Sequence, residues 1–228
     1  MQDDVGRAQS SPPLRVVLIG PPGAGKSTLV PALVETFSLD RIATGDLLRA
    51  EIEAGTPLGR ASAGYVERGE LVPDTVIEQL LRSGLAAMHP GAGLLLDGYP
   101  RSLDQARTLD ALLAERGRPI DVVLALEVPD DEILHRLGGR RLCTGVGEPW
   151  VLHLDDAAAV ARCRAQGGTL EQREDDRPEV IGRRLAVYRR QTEPLLAAYR
   201  AVGLLREIDA TGSTADVRAR AIAALRRR

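Results

Sequence analysis

Short apolar runs separated by longer amphipathic stretches organise this chain. The runs at 15–19, 94–96 (ending at Asp97), 122–128 and 204–208 are rich in apolar residues. That pattern suits strands buried on both faces. A shorter candidate lies at 40–43. Between the runs, apolar positions recur at helical spacing over 25–36, 45–54, 57–68, 73–88, 102–116, 130–138, 179–199 and 214–226. Alternating strands and helices predict an α/β fold, a parallel sheet core with helices on both faces. Asp130, followed by Asp131 and Glu132, reads as a helix N-cap with acids in the first turn. Pro31 falls inside the first helix, where it removes an N–H donor and predicts a local kink.

Two stretches break the rhythm. Residues 44–73 are helical but punctuated by Gly55, Pro57 and Gly69, which predicts a small helical insert. Residues 139–176 carry few helix signals and hold both cysteines, which predicts a separate turn-rich flap. The remaining segments, 14–43, 74–138 and 177–228, form the core, and residues 1–13 read as a flexible tail. The tail has no apolar segment of the secretory kind. No apolar run reaches 18 residues, so no membrane-spanning helix is predicted. Net charge is -2 and aromatics are only 3%. Neither favours a nucleic-acid surface, although arginines cluster at 136–141, 183–190 and 226–228. Two cysteines are too few for a disulfide-rich framework.

Composition sharpens the picture at one point. Lys26 is the only lysine in the chain; every other strongly basic side chain is arginine. It lies in GPPGAGKST, which fits G-x-x-x-x-G-K-[ST] from Gly20 to Ser27, between a predicted strand and a predicted helix. That context predicts a phosphate-binding loop. Backbone N–H groups and the helix N-terminus cradle phosphate oxygens, and Lys26 reaches the outer phosphates. The Ser27 hydroxyl is placed for Mg²⁺. Asp97, at the end of an apolar strand, is a second Mg²⁺ candidate acting largely through water.

Seven blocks then occur in one order: GPPGAGKST (20–28), TGDLLR (44–49), GELVPD (69–74), LLLDGYPRSLDQA (94–106), VPDDEILHRLGGRR (128–141), QREDDRPEVIGRRL (172–185) and YRRQTEPL (188–195). In these the chain resembles the adenylate kinase family, of the long-lid bacterial kind, over nearly its whole length. The resemblance implies a P-loop nucleoside monophosphate kinase fold. Residues 44–73 become the nucleotide-monophosphate-binding insert and 139–176 the lid. It also implies a reversible, Mg²⁺-dependent transfer of the terminal phosphoryl group of ATP to AMP, giving two ADP. The implied donor site comprises Pro22, Gly23, Ala24, Gly25, Lys26, Ser27, Thr28, Arg136, Arg140, Trp150 and Gly212. The implied acceptor site comprises Thr44, Gly45, Arg49, Glu70, Leu71, Val72, Gly98, Arg101, Gln105, Arg173 and Arg184. Thr44 and Gln105 are expected to sit by the adenine. Lys26, Asp97, Arg101, Arg140, Arg173 and Arg184 are the expected catalytic set, with Asp175 and Asp176 orienting the arginines. Trp150 can equally serve lid packing.

The chain also departs from the resemblance. Ser27 stands where the family usually has glycine, but it fits the general loop pattern. Many long-lid relatives bind structural zinc with four lid ligands, whose matching positions here are Cys143, Val146, Cys163 and Gln166. Valine cannot ligate and glutamine is a poor zinc ligand, so no structural zinc is expected. His153 and Asp155 are further donors at an unfamiliar spacing. Whether Cys143 and Cys163 pair or bind metal stays open, with a reducing cytoplasm weighing against a disulfide. The expectation is a cytoplasmic monomer acting on ATP, AMP and ADP, without nucleic-acid or membrane partners. The alternatives are another nucleoside monophosphate kinase, with GTP as donor or UMP/CMP as acceptor, and a non-catalytic P-loop protein.

Overall fold

The computed structural model describes residues 12–227. Most of the expected tail, residues 1–11, therefore lies outside the described residues. The first half of the chain supplies β1 (Arg15–Ile19), α1 (Lys26–Phe37), β2 (Leu39–Ala43), α2 (Thr44–Glu53), α3 (Pro57–Arg68), α4 (Asp74–Ala86), β3 (Gly93–Asp97) and α5 (Leu103–Ala114). Next come β4 (Val122–Glu127), α6 (Asp130–Gly139), β5 (Arg140–Thr144), β6 (Trp150–His153), α7 (Ala157–Ala165) and β7 (Thr169–Glu171). The chain continues through α8 (Pro178–Val187), α9 (Glu193–Ala201), β8 (Leu205–Asp209) and α10 (Thr214–Arg226).

Five strands form one sheet in the order β2-β3-β1-β4-β8, and every pairing is parallel. Alternation along β1 divides the core into two layers. Val17 and Ile19 pack with α4, α5 and α9, whereas Val16 and Leu18 pack with α1 and α10. All these side chains are buried, which is why β1 is almost wholly apolar. The strand after β1 in sequence, β2, lies two places away across β3, while β4 occupies the other side of β1. The carboxyl end of β1 is thus a topological switch point, where open α/β sheets leave a crevice for ligands.

Several local expectations need correction. Asp130 is the first residue of α6 rather than its cap; Pro129 holds the cap position and makes no side-chain cap bond. The Asp130 carboxylate instead pairs with Arg189, while the acidic first turn is present. Pro31 lies inside α1, which continues past it as one helix, as a local kink allows. The helix expected over 179–199 is two helices joined by a π-turn at Tyr188–Thr192. Pro194 explains the break, because it has no N–H to continue the i→i−4 ladder.

The second insert is more regular than a turn-rich flap. Strands β5, β6 and β7 form an antiparallel sheet in the order β6-β5-β7. Helix α7 covers it, capped by the Asp156 carboxylate, which accepts from the Ala159 N–H at 2.9 Å. Cys143 from β5 and Cys163 from α7 are both fully buried and form a disulfide. This overturns the expectation drawn from a reducing compartment. The pairing follows from β5 and α7 meeting in one small apolar cluster with Leu152, Val146 and Leu170.

The bridge spans 20 residues of sequence, for which loop-closure entropy gives about 3 kcal/mol. Replacing both cysteines by serine should therefore loosen the lid sheet selectively. Hydrogen exchange would then show faster exchange over 140–171 and unchanged protection in the five-stranded sheet. Equal protection of the lid in both proteins would refute this contribution.

Candidate functional site

The carboxyl ends of β1 and β3 open into a cleft of 960 Å³. Its walls come from the loop after β1, the insert formed by α2 and α3, and the segments flanking the three-stranded sheet. The loop is shaped by two glycines with positive φ, Gly23 at 81° and Gly25 at 90°, conformations costly for other residues. Gly25 ends the loop as the N-cap of α1. The Lys26 ammonium curls back over this turn. It donates to the carbonyls of Gly20 at 2.6 Å and Pro21 at 2.9 Å. Ser27 and Thr28 follow in the first turn of α1, with exposed side chains.

Asp97 ends β3 in register with Leu18 of β1. That pairing brings the strand-end carboxylate beside the loop. It is buried, and it accepts from the Arg41 guanidinium at 2.8 Å. Arg41 also pairs with Asp46 at 2.6 Å, and Arg49 pairs with Asp46 as well. Beyond Asp97, the Gly98 carbonyl collects two donors, the Thr44 hydroxyl at 3.2 Å and Arg101 Nε at 2.7 Å. Buried Gln105 holds this turn. Its Oε1 accepts from the Arg101 N–H at 2.7 Å and its Nε2 donates to Asp74 at 2.6 Å. Gln105 thus uses the acceptor and one of its two N–H donors before any ligand arrives.

The remaining arginines come from α6, α8 and the two ends of the three-stranded insert. Arg140 forks onto fully buried Asp176, Nε to Oδ2 at 2.7 Å and an Nη to Oδ1 at 2.6 Å. Arg184 donates to the Asp175 carbonyl at 2.7 Å and lies 3.1 Å from its carboxylate. Arg136 is held by Glu132 at 2.7 Å and by the Ala210 carbonyl at 2.9 Å. Arg173 also lines the cleft.

Like charges gather here within walls of protein. Desolvation pushes the Lys26 ammonium down from its ordinary value to about 8, with Arg101, Arg184 and Arg140 adding repulsion and Asp97 opposing it. Desolvation likewise lowers Arg101 to about 10, with Arg184 the main repulsive neighbour. Arg173 and Arg184 are lowered for the same first reason. A set of donors and cations held this way can accept several phosphate oxygens at once.

Of the residues expected to bind nucleotide or to catalyse transfer, all but two line the cleft. Trp150 and Gly212 do not. Trp150 packs in the lid cluster, with the Arg162 guanidinium 3.9 Å from its ring centroid. Gly212 lies past β8, and Thr214 rather than Gly212 borders the cleft. Residues not anticipated include Arg41, Asp74 and Thr192, whose hydroxyl donates to the Arg101 carbonyl at 2.9 Å. Arg41 carries no motif signal, since it lies within a strand. Arg183 donates to the Arg68 carbonyl at 2.9 Å and so ties α8 to α3.

Comparison with known proteins agrees with this architecture. The family model described as adenylate kinase matches residues 18–204. An adenylate kinase of Salinispora tropica is 46% identical over 213 residues, covering 93% of this chain and 98% of the relative. That of Acidothermus cellulolyticus has the same identity and coverage. One from Thermodesulfovibrio yellowstonii is 43% identical over 204 residues, covering 90% and 95%.

Because Lys26 is the sole lysine, ¹⁵N-lysine labelling reports on this one ammonium. In the nucleotide-free protein it should titrate near 8. Since the folded value lies below the unfolded one, this group disfavours folding below about 8. That penalty is relieved as pH rises toward 10.5. A midpoint at 10.5 would mean that the ammonium is solvated.

Proposed function

The chain belongs to the adenylate kinase family, and on that premise we propose that it transfers the terminal phosphoryl group of ATP reversibly to AMP, giving two ADP. The observation carrying this reading is the convergence of Lys26, Arg101, Arg140, Arg173 and Arg184 on one cleft between two strand ends. Phosphoryl transfer between two nucleotides needs little covalent help from protein. It needs the acceptor and donor phosphates in line, positive charge on the equatorial oxygens and the exclusion of water.

Each group has a part in that scheme. The loop N–H groups and Lys26 hold the donor β- and γ-phosphates, with Ser27 and Thr28 adding hydroxyls. Arg136, fixed between Glu132 and the Ala210 carbonyl, lies on the donor side. Arg49 and Arg101 grip the acceptor α-phosphate. Thr44, Gly45, Gly98 and the Glu70–Val72 backbone shape the acceptor pocket, and Gln105 reads the adenine through its remaining N–H. Arg140, Arg173 and Arg184 close over the transferring group, oriented by Asp175 and Asp176. Residues 44–73 and 139–176 are the two bodies that close over the core formed by 14–43, 74–138 and 177–228.

The oxygen donors at the start of α1 and the end of β3 fit Mg²⁺. A buried carboxylate (Asp97) and a hydroxyl (Ser27) are hard ligands of the kind this ion takes, in small number and with retained water. Bound there with ATP, the ion would supply charge neutralisation to the donor phosphates. Arg41 holds the Asp97 carboxylate in position from the neighbouring strand. No side chain is needed as a general base, because the acceptor phosphate oxygen is already a nucleophile.

The test is initial rates with ATP–Mg²⁺ against AMP, GMP, CMP and UMP, with ADP formation followed directly. AMP should be the preferred acceptor; faster transfer to another acceptor would keep the reaction and replace the substrate. Lys26→Ala and Arg101→Ala should each lower kcat at least about a hundredfold while keeping a cooperative thermal transition. Normal turnover in either folded variant would remove that residue from the mechanism.

A further inference from the structure

A cluster outside the phosphate-binding set joins the core to the lid. His135 lies on α6, His153 ends β6, and Asp155 follows in the turn before α7. Among the described residues, these form a group of three side chains able to hold a metal ion, with their ligand atoms all within 4.8 Å of one another. His135 Nε2 is 2.8 Å from Asp155 Oδ2, and His153 Nδ1 is 3.6 Å from the same oxygen. In a tetrahedral zinc site, donors about 2.0–2.1 Å from the ion stand roughly 3.3–3.4 Å apart. The two separations from Asp155 lie close to this spacing, and the two histidine donors lie no more than 4.8 Å apart, so side-chain rotation brings the three into one coordination sphere.

His153 is already set in the tautomer that coordination requires. Its Nε2 lies 3.2 Å from the His135 carbonyl, to which it donates, and its Nδ1 accepts from the Asp155 N–H at 3.2 Å. The Nδ1 lone pair is therefore given to the Asp155 N–H, beside the carboxylate 3.6 Å away, and an ion bound there would take the place of that hydrogen bond. A metal-bound histidine has this same arrangement, one nitrogen ligating and the other N–H given to a backbone carbonyl. The ring is also fixed by packing. A Cβ on Gly139 would fall 2.0 Å from His153 Nε2, so the imidazole rests directly on the backbone where α6 ends. Asp155 and His135 remain substantially exposed, which gives an ion and its waters access.

We infer that His135, His153 and Asp155 form a divalent transition-metal site that clamps the lid to α6. Two neutral imidazoles and one carboxylate carry a net charge of −1, complementary to a dication. Nitrogen donors select the zinc, cobalt, nickel and copper class over Mg²⁺, which takes oxygen ligands. The site is separate from the oxygen donors Ser27 and Asp97. It is also separate from the cysteine pair, whose sulfurs are committed to the disulfide. Because the ligands come from two bodies, occupancy restrains lid opening and slows whatever step needs it.

The test titrates zinc into the full chain, without nucleotide, without a histidine tag and with the disulfide intact, by isothermal titration calorimetry. One site per chain is expected, weakened at least about tenfold by each of His135→Ala, His153→Ala and Asp155→Asn. Cobalt(II) in place of zinc should give a visible absorption band that each histidine variant loses. No binding at up to millimolar zinc, or binding unchanged in His153→Ala, would overturn the site. The clamp is read by hydrogen exchange: zinc should slow exchange over 150–156 in the parent protein and not in His153→Ala. Zinc binding without that protection would overturn the clamp. A matching zinc-dependent fall in turnover rests on the kinase reading, whereas the binding, absorption and exchange results stand without it.

Discussion

Crowding of like charge sets the terms for everything around the cleft. Lys26, Arg101, Arg140, Arg173 and Arg184 approach one another in a space partly closed to water, and each is lowered by burial or adds repulsion to its neighbours. Without compensation such a set would spring apart or shed protons. Three carboxylates oppose this. Asp97 attracts Lys26, and Asp175 and Asp176 attract Arg173 and Arg184, with Asp176 also fastening Arg140. The arrangement is poised for an anion: phosphate oxygens entering it relieve repulsion already present, without the protein having to assemble the charges first. The parallel sheet matters because it supplies strand ends rigid enough to hold the charges there. β1 launches the loop and β3 delivers Asp97 in register beside it.

Much of this frame was legible in the residues. Buried parallel strands announce themselves by apolar runs, and β1, β3 and β4 coincide with such runs, while the outer strands β2 and β8 carry charged residues among their apolar ones. The phosphate loop is equally plain, because its glycines and its lysine answer to one geometry. The lid was less legible for physical reasons. Its strands are three to five residues long, mixed in polarity and paired only with one another. A half-solvated sheet of that size leaves little periodicity to read. Helix α7 buries only Cys163, so an amphipathic pattern was absent. Its one strong cue was Asp156 ahead of an alanine run, a cap followed by good helix formers. Arg41 was invisible for another reason. It acts across the sheet on Asp97, 56 residues away, a relation set by strand order alone.

The cysteines illustrate how fold context overrides composition. Two thiols 20 positions apart say little about pairing. Once β5 and α7 fold into one small cluster, both sulfurs face its interior and become its main cross-link. Val146 packs against that cluster instead of offering a ligand, so the lid interior is held by a covalent bond and apolar contact. The same compact lid presents β6 and its following turn toward α6, which is how two histidines far apart in sequence meet.

The fork between Arg140 and Asp176 has a mechanical meaning. Arg140 opens β5, where the chain enters the lid, and Asp176 lies just past β7, where the chain leaves it. Their bidentate contact staples the two connecting strands side by side. A body attached by two loose strings can tumble in any direction; one whose strings are pinned together at the base behaves as a door on a single hinge pin. In the proposed closure this pin leaves the insert one arc to swing through, and the residue that makes it is itself one of the cations proposed to close over the transferring group.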